Sequence, residues 1–363
     1  RLVERAVLGL LHLCQRLLPY KEELAEELLR SLQYVIKLDA AIAWTLAGAI
    51  TSEVRGLVTA NGAYIRTAAG WKIVCSLLAL SAGHPEASPA GFAALQHIAA
   101  DGALITPVNF VPALEAAQAF AGSRAGGDER SMAALDLVSA MGMSVGRWAA
   151  SASAVAMQGA SDGALTPTEA ATAAAQAAEM WMQLLRALAA VVLEKAPAPR
   201  QHALLLLQRL LLSDVVVGMH GDLWLLCLES LVLPLQNELM DIAADRAQAK
   251  GYAELDATLK GALTLMSRVF LARVRALRAL PDFERLWFGV IDALEAVGAR
   301  KLYAGGEDFS EDMVPQVLKN MLLVMHSQQA LLPESTPDGR SLWERTMARI
   351  AKIAPQLRVE LQG

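Results

Sequence analysis

The chain has 363 residues, of which 55% are hydrophobic, 19% charged and 5% aromatic, and its 32 basic and 37 acidic side chains leave a net charge of −5. This is too apolar for a disordered chain and long for a single compact core, so two domains or a repeat array are expected. The mean hydropathy of +0.35 raises the question of membrane insertion, yet no stretch free of Asp, Glu, Lys and Arg exceeds 14 residues, Ala87–Ala100 and Trp148–Ser161 among them. A span takes about 20 residues, so the apolar side chains are expected inside protein. A pI near 5.8 gives no electrostatic case for nucleic acid as a partner. Cys14, Cys75 and Cys227 lie far apart, form no CxxC and leave an odd thiol in any pairing, which fits a reduced, cytosolic setting. No signal peptide is seen, and Arg1 already stands inside a helical pattern, so the chain reads as a piece of something longer.

The 3.6-residue period runs through almost every segment. Leu2, Val3, Ala6, Val7, Leu10, Leu11, Leu13, Cys14, Leu17 and Leu18 form one broad face that Pro19 ends. A second helix follows, with Glu22 and Glu23 in its first turn and Leu24, Leu28, Leu29, Leu32, Val35 and Ile36 as its buried stripe. Ile105 to Val111, interrupted by Pro107, reads as a turn or helix end. Thr166-Pro167-Thr168-Glu169 combines a capping box with proline at the first helical position. Val215-Val216-Val217 is too short to argue for a strand. Tyr303–Ser310 and Leu332–Arg340 read as loops, and Ser341-Leu342-Trp343-Glu344 as a second capping box. About fifteen helices joined by short loops are expected.

So many short amphipathic helices need neighbours to cover them, and stacked helix pairs supply that cover. The expected fold is all-α, an α-solenoid of HEAT- or armadillo-like repeats. A degenerate internal repeat agrees. With Trp71, Trp181, Trp224, Trp287 and Trp343 as position zero, the residues four further on are Cys75, Leu185, Leu228, Ile291 and Met347, and those seven further on are Leu78, Leu188, Leu231, Leu294 and Ile350. The last three gaps, 43, 63 and 56 residues, are irregular but close to one such unit. The Gly-, Ser- and Pro-rich stretch Gln158–Thr168 marks the subdivision, giving a first helical-repeat segment over residues 1–158 and a second over 168–363.

Catalytic signals are few. His12, His84, His97, His202, His220 and His326 are scattered, with no HExxH and no Cys/His cluster at metal-binding spacing, so no metal is expected. No GxxxxGK[ST] and no GxGxxG occurs, so neither nucleotide hydrolysis nor a dinucleotide cofactor is expected. Gly142-Met143-Ser144-Val145-Gly146 fits GxSxG, but that elbow needs a strand before the serine, and Met132, Leu135, Leu137 and Val138 precede it in a helical run. Glu22, Glu23, Glu26 and Glu27 read as a solvated face. No catalytic residue is assigned.

One surface stands out. In Leu265–Leu280, Arg268, Arg275 and Arg278 gather on one side and Val269, Phe270, Leu277 and Leu280 on the other. Such a face suits an anionic membrane or an acidic partner, or is simply the basic outer side of a solenoid helix. Arg273 breaks the pattern by falling in the apolar arc, and Leu271 by falling in the basic one.

The run Leu17–Ala40 (LLPYKEELAEELLRSLQYVIKLDA) resembles the region downstream of the exchange domain in the large, GNOM-like Arf guanine-nucleotide exchange factors, the class of the Golgi brefeldin-A-resistance factor. So do Ala69-Gly70-Trp71, His84-Pro85-Glu86-Ala87-Ser88 with Gly91-Phe92, and Asp128-Glu129-Arg130-Ser131 with Ala134-Leu135-Asp136-Leu137. Ser267–Leu271, Leu286-Trp287-Phe288-Gly289-Val290, Leu318–Met325 and Ser341–Glu344 continue the resemblance in order, so it covers essentially the whole chain. The Ala-rich stretch Met143–Ala178 departs most from that pattern. The resemblance implies a helical-repeat region C-terminal to the Sec7 domain, which carries exchange through a glutamate finger. No FRLPGE-type motif is present here, so this piece is expected to be non-catalytic. By the resemblance it is a regulatory and recruitment scaffold, cytoplasmic and peripheral at Golgi or early secretory membranes. Its implied partners are small GTPases of the Arf or Rab type, other domains of the same exchange factor and the membrane surface, with a homodimer left open. Two other classes remain open: a solenoid peptide-binding adaptor, which would carry Asn one turn after its Trp residues, and an all-helical hydrolase built on GxSxG.

Overall fold

The computed structural model describes residues 1–100, 104–158, 166–213, 221–245, 249–299, 303–304, 307–331, 337–355 and 357. The described residues are helical almost throughout, and the chain is an all-α solenoid of stacked helices. It divides into two compact units, Arg1–Val191 and Val192–Gly363. The expected boundary at Gln158–Thr168 lies largely on residues 159–165, outside those described. Pro167–Val191 groups with the first unit. Val215–Val217 also lies outside the described residues.

The first unit contains α1 (Leu2–Leu17), α2 (Ala25–Ser31), α3 (Gln33–Ile36), α4 (Ala40–Asn61), α5 (Ala68–Ser81), α6 (Ser88–Ala99), α7 (Phe110–Gly122), α8 (Gly127–Gln158) and α9 (Pro167–Val192, all but its last residue). From α4 to α6, each helix packs on its successor and on the one after. Thus α4 meets α5 and α6, α5 meets α6 and α7, and α6 meets α7 and α8. This is how a repeat array covers wide apolar faces. The buried stripe of α1 is narrower than the sequence suggests. Val7, Leu11, Cys14 and Leu18 are buried against α2 and α4, while Leu2, Val3 and Leu13 are exposed. The second helix is broken into a 3₁₀ turn at Glu22–Leu24, then α2 and α3, and Leu24 faces solvent. Starts are capped as the residue types dictate. Asp39 accepts from the Ala41 N–H at 3.0 Å and Thr67 from the Gly70 N–H at 3.1 Å. At α9 the capping box closes in both directions, Thr166 N–H to Glu169 Oε2 at 2.7 Å and Glu169 N–H to Thr166 Oγ1 at 3.3 Å.

The second unit contains α10 (Pro197–Leu212), α11 (Gly221–Cys227), a π-helical turn (Leu228–Val232), α12 (Leu233–Ala244), α13 (Leu255–Leu277), α14 (Phe283–Gly298), α15 (Phe309–Ser327) and α16 (Pro337–Ile353). The long helix α13 is central, packing on α10, α11, α12, α14 and α15. Part of the expected Tyr303–Ser310 loop forms a two-residue antiparallel ladder, β1 (Tyr303–Ala304) with β2 (Glu307–Asp308), pairing Tyr303 with Asp308. Ser341 does not cap a helix. Proline at the first position starts α16 at Pro337, which places Ser341 inside it. The run Asp222–Ala244 is long and apolar enough to cross a membrane by length and composition. Here it is a core element: Leu228, Leu231, Leu235 and Leu239 are buried, and Glu229 pairs with Arg285 at 2.9 Å.

The Trp repeat is a core stripe. Trp71, Trp181, Trp224 and Trp287 are buried and Trp343 is half-buried, and all ten residues four and seven positions later are buried. A buried Trp contributes roughly 4–6 kcal/mol of apolar transfer. Trp287 adds a polar tie, its Nε1–H donating to Thr346 Oγ1 at 3.0 Å between α14 and α16. Arg200 is the most buried cation of the unit, with no exposed surface. Its Nε donates to Thr258 Oγ1 at 2.9 Å, one terminal nitrogen to the carbonyls of Glu194 and Lys195 at 3.2 and 3.1 Å, and the other to the Ala253 carbonyl. The turn before α10 and the turn before α13 are thereby held by one guanidinium. Burial draws the Arg200 pKa below the usual arginine value, and neighbouring Tyr252 and Glu254 oppose that shift.

Candidate functional site

The basic face of α13 exists: Arg268, Arg275 and Arg278 are all exposed on one side. Two of the three are also engaged within the unit. Arg275 donates to the Gln328 side chain and Arg278 to the Gln328 carbonyl, fastening the turn after α15, where Gln329 adopts φ +55°. Arg273, the residue out of place in the helical pattern, points inward. It donates to the carbonyls of Leu211 and Ser213 at 3.2 and 3.0 Å, capping the end of α10, and its guanidinium lies 4.0 Å from the centre of the Trp224 ring.

The GxSxG pattern lies wholly within α8. Ser144 is buried there and accepts a hydrogen bond from Arg147 at 3.0 Å, so no strand-to-helix elbow presents its hydroxyl. Among the described residues no three His, Cys, Asp or Glu side chains converge as metal ligands. The positions one turn after the five Trp are buried and apolar, so no Asn ladder lines a peptide groove.

Two of the segments carrying the resemblance, His84–Phe92 and Asp128–Ser131, meet at the start of α6. His84 Nδ1 accepts the backbone N–H groups of Glu86 and Ala87, both at 3.2 Å, and so fixes the turn into the helix. Ser88 accepts from Arg130 at 2.8 Å, and the Arg130 guanidinium sits 6.0 Å from the Phe92 ring centre. Gly91 allows the close approach of α5, since a Cβ there would fall 2.0 Å from Ser81 Oγ. Beside this junction, a half-open cavity of about 340 Å³ lies between α3, the first half of α4 and the end of α5. Leu38, Trp44, Ile50, Thr51, Leu80 and His84 are among its walls. Trp44 and Leu80 remain 58% and 63% exposed at its mouth, and the Trp44 ring centre lies 4.3 Å from that of His84. Sequence reasoning passed over Trp44 and Thr51. The available signal was that Trp44 is followed one and two turns later by Gly48 and Thr51, where the five core Trp are followed by apolar residues.

Comparison with known proteins places these elements. The family described as GBF1-like, tetratrico peptide repeat region, matches residues 181–357. The ARF guanine-nucleotide exchange factor GNOM of Arabidopsis thaliana is 39% identical over 360 residues, 99% of this chain and 24% of its own length. The exchange factor GNL1 of the same plant is 37% identical over the same extent. A Caenorhabditis elegans homolog of the Golgi-specific brefeldin A-resistance guanine nucleotide exchange factor 1 is 27% identical over 179 residues, 49% of this chain and 8% of its own. The chain thus spans about a quarter of the length of its plant relatives. From end to end, the chain is similar to one part of the GNOM-like ARF guanine-nucleotide exchange factors, and its residues 181–357 match a helical-repeat region of the GBF1-like family.

Proposed function

We propose that this region is a non-catalytic regulatory and recruitment scaffold of an Arf exchange factor acting in Golgi vesicle traffic. Its partners are Arf- or Rab-type GTPases, other domains of the same factor and the cytoplasmic face of Golgi or early secretory membranes. The observation that carries this reading is the end-to-end similarity to exchange factors, joined to a chain whose polar side chains are spent on tying helices together. Arg268, Arg275 and Arg278 are the basic surface offered to an acidic partner or an anionic headgroup, with Arg268 the one that makes no tie to Gln328. The test is a pull-down of the purified chain against nucleotide-loaded Arf and Rab proteins, beside flotation with anionic liposomes and an Arf exchange assay. Binding to a GTPase or to liposomes without exchange is the expected result. Exchange on Arf by this chain alone would overturn the reading. Arg268→Glu is expected to weaken liposome binding without lowering the melting temperature, which the double reversal of Arg275 and Arg278 would lower.

A further inference from the structure

We propose that the cavity between α3, α4 and α5 binds a small uncharged apolar molecule bearing one oxygen acceptor, such as a ketone or an ester. Its volume, about 340 Å³, falls at the small-molecule end of ligand sites. Its walls are apolar, from Val35, Ile36 and Leu38 on one side to Leu77 and Leu80 on the other, and no Asp, Glu, Lys or Arg lines it, so a charged group would enter unpaired.

Two polar groups face this apolar space without a partner among the described residues. The first is the hydroxyl of Thr51, whose residue is 3% exposed. The other threonines of α4, Thr45 and Thr59, turn their hydroxyls back to the carbonyls of Ala41 and Arg55 at 2.9 and 2.8 Å, as helical threonines commonly do. Thr51 lines the cavity and makes no such bond. The second is His84, whose residue is 8% exposed. Its Nδ1 accepts two backbone N–H groups, so the ring proton resides on Nε2, and that N–H has no acceptor. Both donors sit on the wall of one apolar, half-open cavity, where an acceptor on a bound molecule can take the place of water. The exposed Trp44 indole at the mouth supplies a flat apolar surface for the rest of the molecule.

The matched probes are octan-2-one and octane, titrated into the purified chain by calorimetry and followed by NMR. The ketone is expected to bind one site saturably and more tightly than the alkane. Thr51→Val keeps the shape and removes the hydroxyl, and is expected to weaken the ketone about five-fold while leaving the alkane unchanged. Ala47→Phe, which fills the cavity, is expected to abolish binding of both, and Ala43→Leu at the same wall is the second filler should Ala47→Phe lower the melting temperature. No saturable binding of either probe, or ketone binding that survives both filled variants, would overturn the proposal. The outcome is independent of whether the chain meets a GTPase or a membrane.

Discussion

The two units solve the problem of joining helices with different side chains. In the first, short groups do most of the joining, beside an arginine tie from Arg130 to Ser88. Ser123 reaches the Ala82 carbonyl at 2.6 Å, Asn61 the Gln15 carbonyl at 2.7 Å, and Ser131 the Ala121 carbonyl. In the second, the reach is made by arginines: Arg200 and Arg273 to carbonyls, Arg285 to Glu229, Arg345 to Glu284, and Arg349 to Asp292 and Glu295. The buried faces explain the difference. Helices α6 and α7 bury Gly91, Ala94, Ala113, Ala116 and Ala117, whereas α10 and α13 bury Leu204, Leu207, Leu211, Leu259 and Leu263. Smaller buried residues permit a closer helix approach than leucines do, and a shorter donor can then span the gap.

The comparison breaks most readily at Arg200. Arg200→Met strands the carbonyls of Glu194, Lys195 and Ala253, and a loss of roughly 3 kcal/mol or more is expected, read by urea unfolding with hydrogen exchange in α13. Arg200→Lys keeps the charge, loses the fork, and is expected to recover only part of it. In the first unit the matching test is Gly91→Ala, whose methyl group would meet Ser81 Oγ at 2.0 Å and is expected to cost about 2 kcal/mol. Adding Ser81→Ala should recover much of that loss, since a hydroxyl is what obstructs. Thr346→Val strands the Trp287 N–H and is expected to cost about 1–2 kcal/mol by thermal or urea unfolding.

The smallest effect at neutral pH concerns the buried thiols of the first unit. Burial pushes Cys75 up to about 12, with nearby Glu115 adding to the shift, and pushes Cys14 up to about 11. These native values exceed that of an unfolded thiol, near 8.5, so the associated stabilisation is full below about pH 8.5 and declines as pH rises toward 11 and 12. Both thiols are expected to resist a thiol reagent at pH 8 in the native chain and to react on unfolding. Rapid labelling of Cys75 before unfolding would contradict that burial.

The architecture was legible because its signals are local. Pro19, the Thr166–Glu169 box and the spacing from Trp to the apolar residues four and seven further on each express a single helix, and the structure places them as written. What the sequence did not disclose depends on partners distant along the chain. Arg273 looked like a flaw in an amphipathic face until the end of α10, some 60 residues away, supplied its acceptors. Ser341 looked like a cap because nothing local ranks it below Pro337. The cavity at Thr51 was hidden for the same reason, since a threonine in a helix ordinarily satisfies itself, and only the surrounding helices show that this one does not.

The π-helical turn has a consequence for the packing of this region. Pro234 would press its ring on the Ser230 carbonyl in a continuous α-helix, and the chain answers with a wider turn in which the Leu233 N–H reaches back to Leu228. A wider turn holds one residue more than an α-helix needs, which re-phases the apolar stripe between Trp224 and Leu239. The extra residue is taken up within Leu228–Val232, and both flanking faces, with Trp224 before it and Leu239 after it, stay buried.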